Sequence, residues 1–546
     1  MSVNYKSKYL KYKNKYIELK NKNKYGGGDT YSWFIIDTTT PSIEELNQEQ
    51  ELELEQHYNA GNAEQIIYKD IPYSLKPDGD YGNGNKLLRR EQKITITDPN
   101  EQSLFKMLKE YVKDKDVVLR VAGGWVRDKI LGKENDDIDF TVANIAGRGM
   151  SGKVFSDELC AYIKELGDDS GWKCEDITSA SLQTQGLETA TLTISVLSEP
   201  KKSFELDFVG FRSEVYSVDS RVPVVSTGTI LEDTKRRDFT INALYYNINT
   251  GKIEDYIGGV RDIHRRIIRT PINATKSFND DPLRILRALR FHARFQFALD
   301  DSIKAATRDP VIQEKFKIIK GGRIGQEIVG FFKEGSEPVL AFREILDSGL
   351  WNIIFEGEGN WGTDTILLMK NLGDNSQRKE ITLTVLTSYF FNLDTHKLTK
   401  LQEFMYRLNI QKELSKQIAE IHKCTFAISE KMKQKPDITL WKLSDFALII
   451  RAYNAYFDDA ITVGKVLEPQ LFANIDKYIT QHGLKDIYRK PKFDSSQFPT
   501  DFGVSGKQMK ILVDLLYEWQ FDNPDKSYED ALKQKENFLE QVKLKS

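Results

Sequence analysis

The stretch VVLRVAGGWVRDKILGKENDDIDFTV, from Val117 to Val142, leaves this chain few ways to fold. Val117 to Ala122 is apolar and β-branched enough for a buried strand. Gly123-Gly124 interrupts it, and Val126 to Leu131 then has helical spacing. Asp137-Ile138-Asp139-Phe140 alternates, so Ile138 and Phe140 share one strand face while Asp137 and Asp139 share the other. The segment therefore predicts strand, glycine turn, helix and strand, packed closely enough to nucleate an α/β unit.

The same residues carry chemistry. A strand that turns through two glycines into a helix exposes backbone N–H groups, which suit a phosphate. Arg127, in the first turn, can add a bidentate contact. Two carboxylates two residues apart on a strand can ligate a hard cation such as Mg²⁺, which shares its oxygen ligands with phosphates. Taken singly, these are a tight turn and a solvated Asp pair. Taken together, Gly123, Gly124, Arg127, Asp137 and Asp139 point to nucleotidyl transfer.

The pattern around this segment sets the organisation. Asp98-Pro99-Asn100-Glu101 predicts a helix start, with Leu104, Leu108 and Tyr111 on its apolar face. From about 93 to 270, β-rich runs alternate with helical ones. From 271 to 345 and on through 346 to 546 the pattern is helical. Residues 1–28 form a Lys/Tyr-rich leader in which Tyr5, Tyr9, Tyr12, Tyr16 and Leu19 make one helical stripe. Residues 29–92 read as a low-complexity linker, acidic over Glu44 to Gln56 and turn-rich over Lys76 to Asn85. A short strand between Tyr31 and Ile36 is allowed within it.

Composition excludes several classes. Lys+Arg 78 against Asp+Glu 81 rules out a uniformly basic nucleic-acid coat, so any such site is a local patch. Cys160, Cys174 and Cys424 are the only cysteines and form no CxxC pair, which argues against a disulfide framework and for a reducing, cytoplasmic setting. No apolar run approaches the ~20 residues of a membrane span. The six histidines show no ligand spacing. Trp351, Phe355, Phe390 and Phe391 read as core aromatics.

GGWVRDKILGKENDDID resembles the first motif of the class II tRNA nucleotidyltransferase and bacterial-type poly(A) polymerase family, within the polymerase β superfamily. Further motifs follow in order. Arg236 to Ala243, RRDFTINA, is similar to that family's RRDFTxNA motif. Asp255 to Asp262 is similar to its DxxGGxxD turn. Asp280-Asp281-Pro282-Leu283-Arg284 resembles its nucleotide-selecting motif, and KGGRIGQE, Lys320 to Glu327, is a looser match. ETATLTI (Glu188 to Ile194) and FVGFRSEVY (Phe208 to Tyr216) look closest to the fungal and plant type.

The resemblance implies an α+β fold: a polymerase β-like head with a mixed β-sheet, followed by an all-α neck, body and tail. It implies addition of CCA to tRNA from CTP and ATP, with two Mg²⁺ ions held by Asp137 and Asp139. Gly123, Gly124, Arg127 and Arg237 would hold the triphosphate. It assigns Asp238 to the ribose, Asp281 and Arg284 to the base, and the DxxGGxxD turn to a hinge. Arg284, Arg287, Arg290 and Arg294 fall within about a 120° helical arc, expected to line a cationic cleft. Asp207, beside Glu205 on one face of FELDF, is a further acidic candidate. The expected partners are tRNA and the two nucleotides, with neither DNA nor a membrane. The leader resembles Lys/Tyr leaders of proteins from large DNA viruses, so a virus-encoded origin stays open. Poly(A) addition, partial CC- or A-addition and a non-catalytic RNA-binding role also stay open. The run TVANIAGRGMSGKVF after Phe140 lacks the Arg-rich element of the bacterial poly(A) polymerases, which favours CCA addition.

Overall fold

The computed structural model describes residues 94–546 except 182–187, 198–201, 218–219, 356–360, 392–397 and 483–492, and the backbones of five short strands before residue 94. The Lys/Tyr leader lies outside the described residues. So do most of the acidic and turn-rich runs. The five strands are β1 (Trp33–Asp37), β2 (Ser42–Glu45), β3 (Gln65–Tyr68), β4 (Ile71–Ser74) and β5 (Asn85–Arg89). β1 pairs with β2 and β5, and β3 pairs with β4. The linker expected over 29–92 is corrected at these positions. Runs such as WFIID and QIIY carry aromatic and β-branched residues that pair even inside a polar stretch. The strand allowed near Tyr31 to Ile36 is β1.

The chain divides into two compact units, residues 1–288 with 297–316, and residues 289–296 with 317–546. A seven-stranded sheet organises the first unit. Its strands are β6 (Val118–Ala122), β7 (Ile138–Ala143), β8 (Trp172–Ser181), β9 (Glu188–Val196), β10 (Lys202–Gly210), β13 (Leu244–Asn247) and β14 (Lys252–Asp255). Their spatial order is β14-β13-β6-β7-β10-β9-β8. Only β7 and β10 run parallel; every other neighbouring pair is antiparallel. β11 (Arg212–Ser217) and β12 (Ser220–Thr227) form a separate hairpin, and Ile267–Ile268 pairs in parallel with Ala298–Leu299.

Helices α1 (Pro99–Val112) and α3 (Gly152–Leu166) supply the apolar side chains of the core. α1 begins as its sequence dictates: Asp98 accepts from the N–H groups of Asn100 and Glu101, and Pro99 opens the first turn. Leu104 and Leu108 are fully buried. Ile138, Phe140 and Val142 of β7 and Phe204, Leu206 and Phe208 of β10 are buried on the sheet. Phe140 stacks on Phe208 at 5.0 Å, Phe105 reaches Phe140 at 6.2 Å and Phe155 reaches Phe208 at 5.0 Å. Covering one sheet face this way turns the opposite residues of β7 and β10, among them Asp139 and Asp207, outward.

Cys160 of α3 and Cys174 of β8 form a disulfide. This overturns the expectation of uncrosslinked thiols and removes the cysteine argument for a reducing compartment. Spacing along the chain hid the pair; the helix returning across the sheet brings it together. Closing a loop of 14 residues is worth about 3 kcal/mol at most. Reductant should therefore lower the thermal midpoint of the wild type. Cys160→Ser should show the lowered midpoint without reductant and no further response. A wild-type melt indifferent to reductant would mean that no covalent bridge forms.

The second unit is helical throughout its described residues. Trp351 and Phe355 are buried core residues with rings 4.7 Å apart, as their apolar setting suggested. The side chains of Phe390 and Phe391 lie outside the described residues. In KGGRIGQE the glycines allow close backbone approach. A Cβ at Gly321 would lie 2.0 Å from the Arg407 carbonyl oxygen, and one at Gly325 would lie 1.9 Å from that of Leu408. No helix among the described residues is long and apolar enough to cross a membrane.

Candidate active site

The outward face of β7 and β10 gathers the acidic groups. Asp137 immediately precedes β7 and Asp139 lies within it; both are exposed. The parallel register sets Asp207 directly opposite Asp139. Asp207 accepts a hydrogen bond from the Thr191 hydroxyl on the neighbouring strand. The Asp139 carboxyl is pushed up to about 6 because the protein around it displaces water; Asp137 and Asp207 add repulsion, and Arg237 opposes the shift. Among the described residues, no three metal-ligating side chains are already drawn around one point. The donor chemistry fits a hard divalent cation all the same: carboxylate oxygens crowded until their own charges oppose one another.

The glycine turn faces a dense hydrogen-bonded layer. Gly123 sits at φ +74, where a Cβ would meet Arg237 Nη1 at 3.1 Å. Its N–H donates to Leu244 O at 2.9 Å. α2 (Gly124–Ile130) follows with no side-chain cap. Gly124 lies over Arg127 and Asn135; a Cβ there would stand 3.7 Å from Arg127 Nη2 and 3.6 Å from Asn135 Nδ2. Arg127, read from the sequence as a phosphate contact, is only 4% exposed. Its Nε donates to Asp128 Oδ1 at 2.7 Å and its Nη1 to Asn242 Oδ1.

The RRDFTINA segment is fixed from both sides. α4 (Ile230–Arg236) starts with a capping box between Thr229 and Glu232. Asp233, fully buried, takes Arg236 Nε at 2.9 Å, Arg237 Nη2 at 3.1 Å and the Tyr245 hydroxyl at 2.7 Å. Burial alone would raise its carboxyl; Arg237 and Arg236 outweigh that and hold it down at about 2. Arg237 also donates to Asn242 O at 3.2 Å. Asp238 Oδ2 receives Arg287 Nε at 3.0 Å and Nη2 at 2.6 Å, while Oδ1 receives Asn242 Nδ2 at 3.0 Å. Burial works against the Asp238 carboxylate, but Arg287 and Asn242 prevail and lower its pKa.

The DxxGGxxD turn is an anchor in this structure. Asp255 accepts four backbone N–H bonds, from Ile257, Gly258, Gly259 and Val260, at 2.8 to 3.2 Å. Asp262, buried in α5 (Gly259–Arg265), takes the Thr240 hydroxyl at 2.8 Å. The hinge that the resemblance implied is thus tied to the RRDFTINA segment through Asp262, while Asp255 closes the turn on its own backbone.

The arginine stripe behaves differently from a free cationic face. It lies on α7 (Arg284–Phe295), entered from α6 (Ala274–Asp280) through Asp281, whose Oδ1 caps Leu283 N at 3.1 Å. Arg284 is buried, with Nη1 on Ser277 Oγ at 2.8 Å and Nη2 on the Arg236 carbonyl at 2.6 Å. Arg287 holds Asp238, and Arg290 pairs with Glu327 at 2.7 Å. The correction has a plain cause: Arg284 is removed from water and must find acceptors, and the partly exposed Arg287 and Arg290 meet carboxylates that the fold brings within reach.

Asp233, Asn135 and Asn242 are the site residues that motif reading passed over. Asp233 had a signal: an acid followed at i+3 and i+4 by arginines on a helix is an ion-pair spacing. The other two stood inside quoted motifs, Asn242 in RRDFTINA and Asn135 in GGWVRDKILGKENDDID, without a role of their own being assigned.

Residues 119–269 match the family of poly A polymerase head domains. The chain is 29% identical over 490 residues to the tRNA nucleotidyltransferase cca2 of Schizosaccharomyces pombe, covering 81% of this chain and 98% of that one. It is 38% identical over 280 residues to a mitochondrial CCA tRNA nucleotidyltransferase of Saccharomyces cerevisiae, covering 48% of each. The fold is similar to that of a CCA-adding enzyme in an apo form, with a TM-score of 0.59 at 21% identity over 82% of this chain and 97% of that one.

Proposed function

We propose that this chain, whose residues 119–269 match poly A polymerase head domains, carries out template-independent addition of CCA to the 3′ end of tRNA from CTP and ATP. The observation that supports it most is the β7–β10 register. It aligns Asp139 with Asp207 next to Asp137, on a face close enough to Arg237 for Asp139 to feel its charge.

In this reading the tRNA 3′-oxygen forms a bond to the α-phosphorus of the nucleotide, the bond to the bridging oxygen breaks, and pyrophosphate leaves. Asp137 and Asp139 would hold the two Mg²⁺ ions of this reading, which would supply Lewis acidity towards the attacking hydroxyl and the leaving pyrophosphate. Asp207, opposite Asp139, adds a third carboxylate to that edge. Gly123 and Gly124 let the triphosphate approach the backbone. Arg237, aimed by Asp233 and Asn242, supplies positive charge to it. Arg127, sunk beneath the turn, supports this layer. Asp238, oriented by Arg287 and Asn242, accepts hydrogen bonds from the ribose hydroxyls. Asp281 and Arg284 read the base, Arg284 exchanging Ser277 or the Arg236 carbonyl for a base atom. Positioning and charge neutralisation supply most of the acceleration. The helical residues beyond α7 grip the acceptor arm by backbone and shape.

The test is incorporation. tRNA ending at the discriminator base, or in CC, is incubated with Mg²⁺ and each labelled triphosphate singly and mixed. CTP used twice and then ATP once, with neither GTP nor UTP incorporated, is the expected result. Long A tails without CTP use would replace the reading with poly(A) addition, and no incorporation would overturn it. Binding should also weaken steeply with salt, since phosphate contacts release counterions.

A further inference from the structure

The buried pair Arg127–Asp128 lies at the centre of a continuous set of hydrogen bonds that ends on the backbone of Asp137. Asp137 N donates to Asn135 Oδ1 at 2.9 Å. Asn135 Nδ2 donates to Asp128 Oδ2, also at 2.9 Å. Asp128 Oδ1 holds Arg127, and Arg127 reaches across to Asn242. Asn242 is in turn bound to Asp238, which Arg287 clamps. Arg127 and Asp128 are 4% and 2% exposed, whereas Asp137 is exposed.

The physics of each link makes the set rigid. A buried ion pair is tolerated only where its remaining lone pairs are satisfied. Arg127 occupies one Asp128 oxygen, and Asn135 satisfies the other with its amide hydrogen. That choice orients the Asn135 amide, because its nitrogen must face Asp128. Its oxygen is left at one place, where it takes the Asp137 N–H. The backbone that carries the Asp137 carboxylate, just before the first residue of an interior strand, thus inherits the fixity of a buried pair.

We propose that Asn135 is a positioning residue for Asp137, with the Arg127–Asp128 pair as its anchor. The assignment rests on the reading that Asp137 holds a divalent cation. It gives Arg127 a role that the sequence motif did not suggest: setting the position of a carboxylate. Asn135 touches no reacting atom in this scheme; it fixes the direction from which Asp137 approaches the metal. Partners of this kind usually change metal affinity or rate by about 10- to 100-fold when removed.

The experiment compares wild type, Asn135→Ala and Asp139→Ala. Mn²⁺ binding in the presence of CTP, without tRNA, is followed by the loss of the free-ion electron paramagnetic resonance signal. Incorporation kinetics and thermal melts accompany it. Asn135→Ala should weaken Mn²⁺ binding and lower kcat by about tenfold or more, with KM for CTP within about twofold and an unshifted melt. Wild-type Mn²⁺ binding in Asn135→Ala would overturn the proposal. So would a rise in KM with kcat unchanged, or a rate loss that merely tracks a lowered melting temperature. Asn135→Asp is the second variant. It keeps an acceptor for Asp137 N but sets a carboxylate against Asp128, and should be impaired like the alanine; full activity would also overturn the proposal. If the wild type binds Mn²⁺ with CTP yet extends no tRNA, the function reading fails while the Mn²⁺ comparison still judges Asn135. If the wild type binds no Mn²⁺, the metal assignment falls and this inference falls with it.

Discussion

Asp139→Ala should leave the protein folded and lower nucleotide incorporation by roughly 10³-fold or more, about 4 kcal/mol of lost transition-state stabilisation. The side chain carries no packing duty: it points away from the core that Ile138 and Phe140 fill. Its carboxylate is crowded by Asp137 and Asp207, so in metal-free protein its charge opposes folding. Removing that charge should hold or raise the thermal midpoint in chelator. A variant that incorporates CTP and ATP at near-normal rates would remove Asp139 from the metal site. A variant that melts well below the wild type would show instead that the residue supports the fold.

Asp233→Ala should have the largest effect on stability. The carboxylate is fully buried and serves Arg236, Arg237 and Tyr245 together. Deleting it leaves two guanidinium groups without their common partner, a loss of roughly 3–5 kcal/mol by analogy with other broken buried pairs. Urea unfolding at neutral pH reads this directly. The acid limb gives an independent sign. The folded carboxyl is held down at about 2, below the ordinary aspartate value of 3.8. Its stabilisation is therefore complete above about pH 4 and lost as pH falls from there towards 2. The wild type should lose stability through that window, and Asp233→Ala should lack this contribution. Incorporation should fall as well, because Arg237 loses the group that aims it. Equal urea midpoints for variant and wild type would show that Asp233 does not bear the ion-pair layer.

Much of the head was legible in the sequence because its signals are local. The Asp98 cap, the alternation around Asp139 and the alternation of FELDF each state a secondary structure and a face within a few residues. The arginine stripe was legible as a helix but not as a set of partners. Its spacing says that Arg284, Arg287 and Arg290 share a side; it does not say that Ser277, Asp238 and Glu327 wait there. Motif reading likewise cast Arg127 as a phosphate contact. Its burial against Asp128 and Asn242 depends on where the RRDFTINA segment crosses the glycine turn. Asp255 and Asp262 looked like the ends of a flexible turn until four N–H groups and Thr240 were found to hold them.

The sequence by itself determined the motif-bearing elements of the head, the outward faces of β7 and β10 and the order of the motifs, since helix caps and two-residue alternation act over one or two turns of chain. Tertiary structure alone decided that Asp207 stands opposite Asp139, because parallel register is set by packing between strands distant in sequence. It also decided that Cys160 and Cys174 meet, since only the return of α3 over the sheet brings helix and edge strand together. The distant partners of the arginines were settled in the same way: Asn242 for Arg127, the Arg236 carbonyl for Arg284, Asp238 for Arg287 and Glu327 for Arg290 are acceptors that only the fold brings within reach.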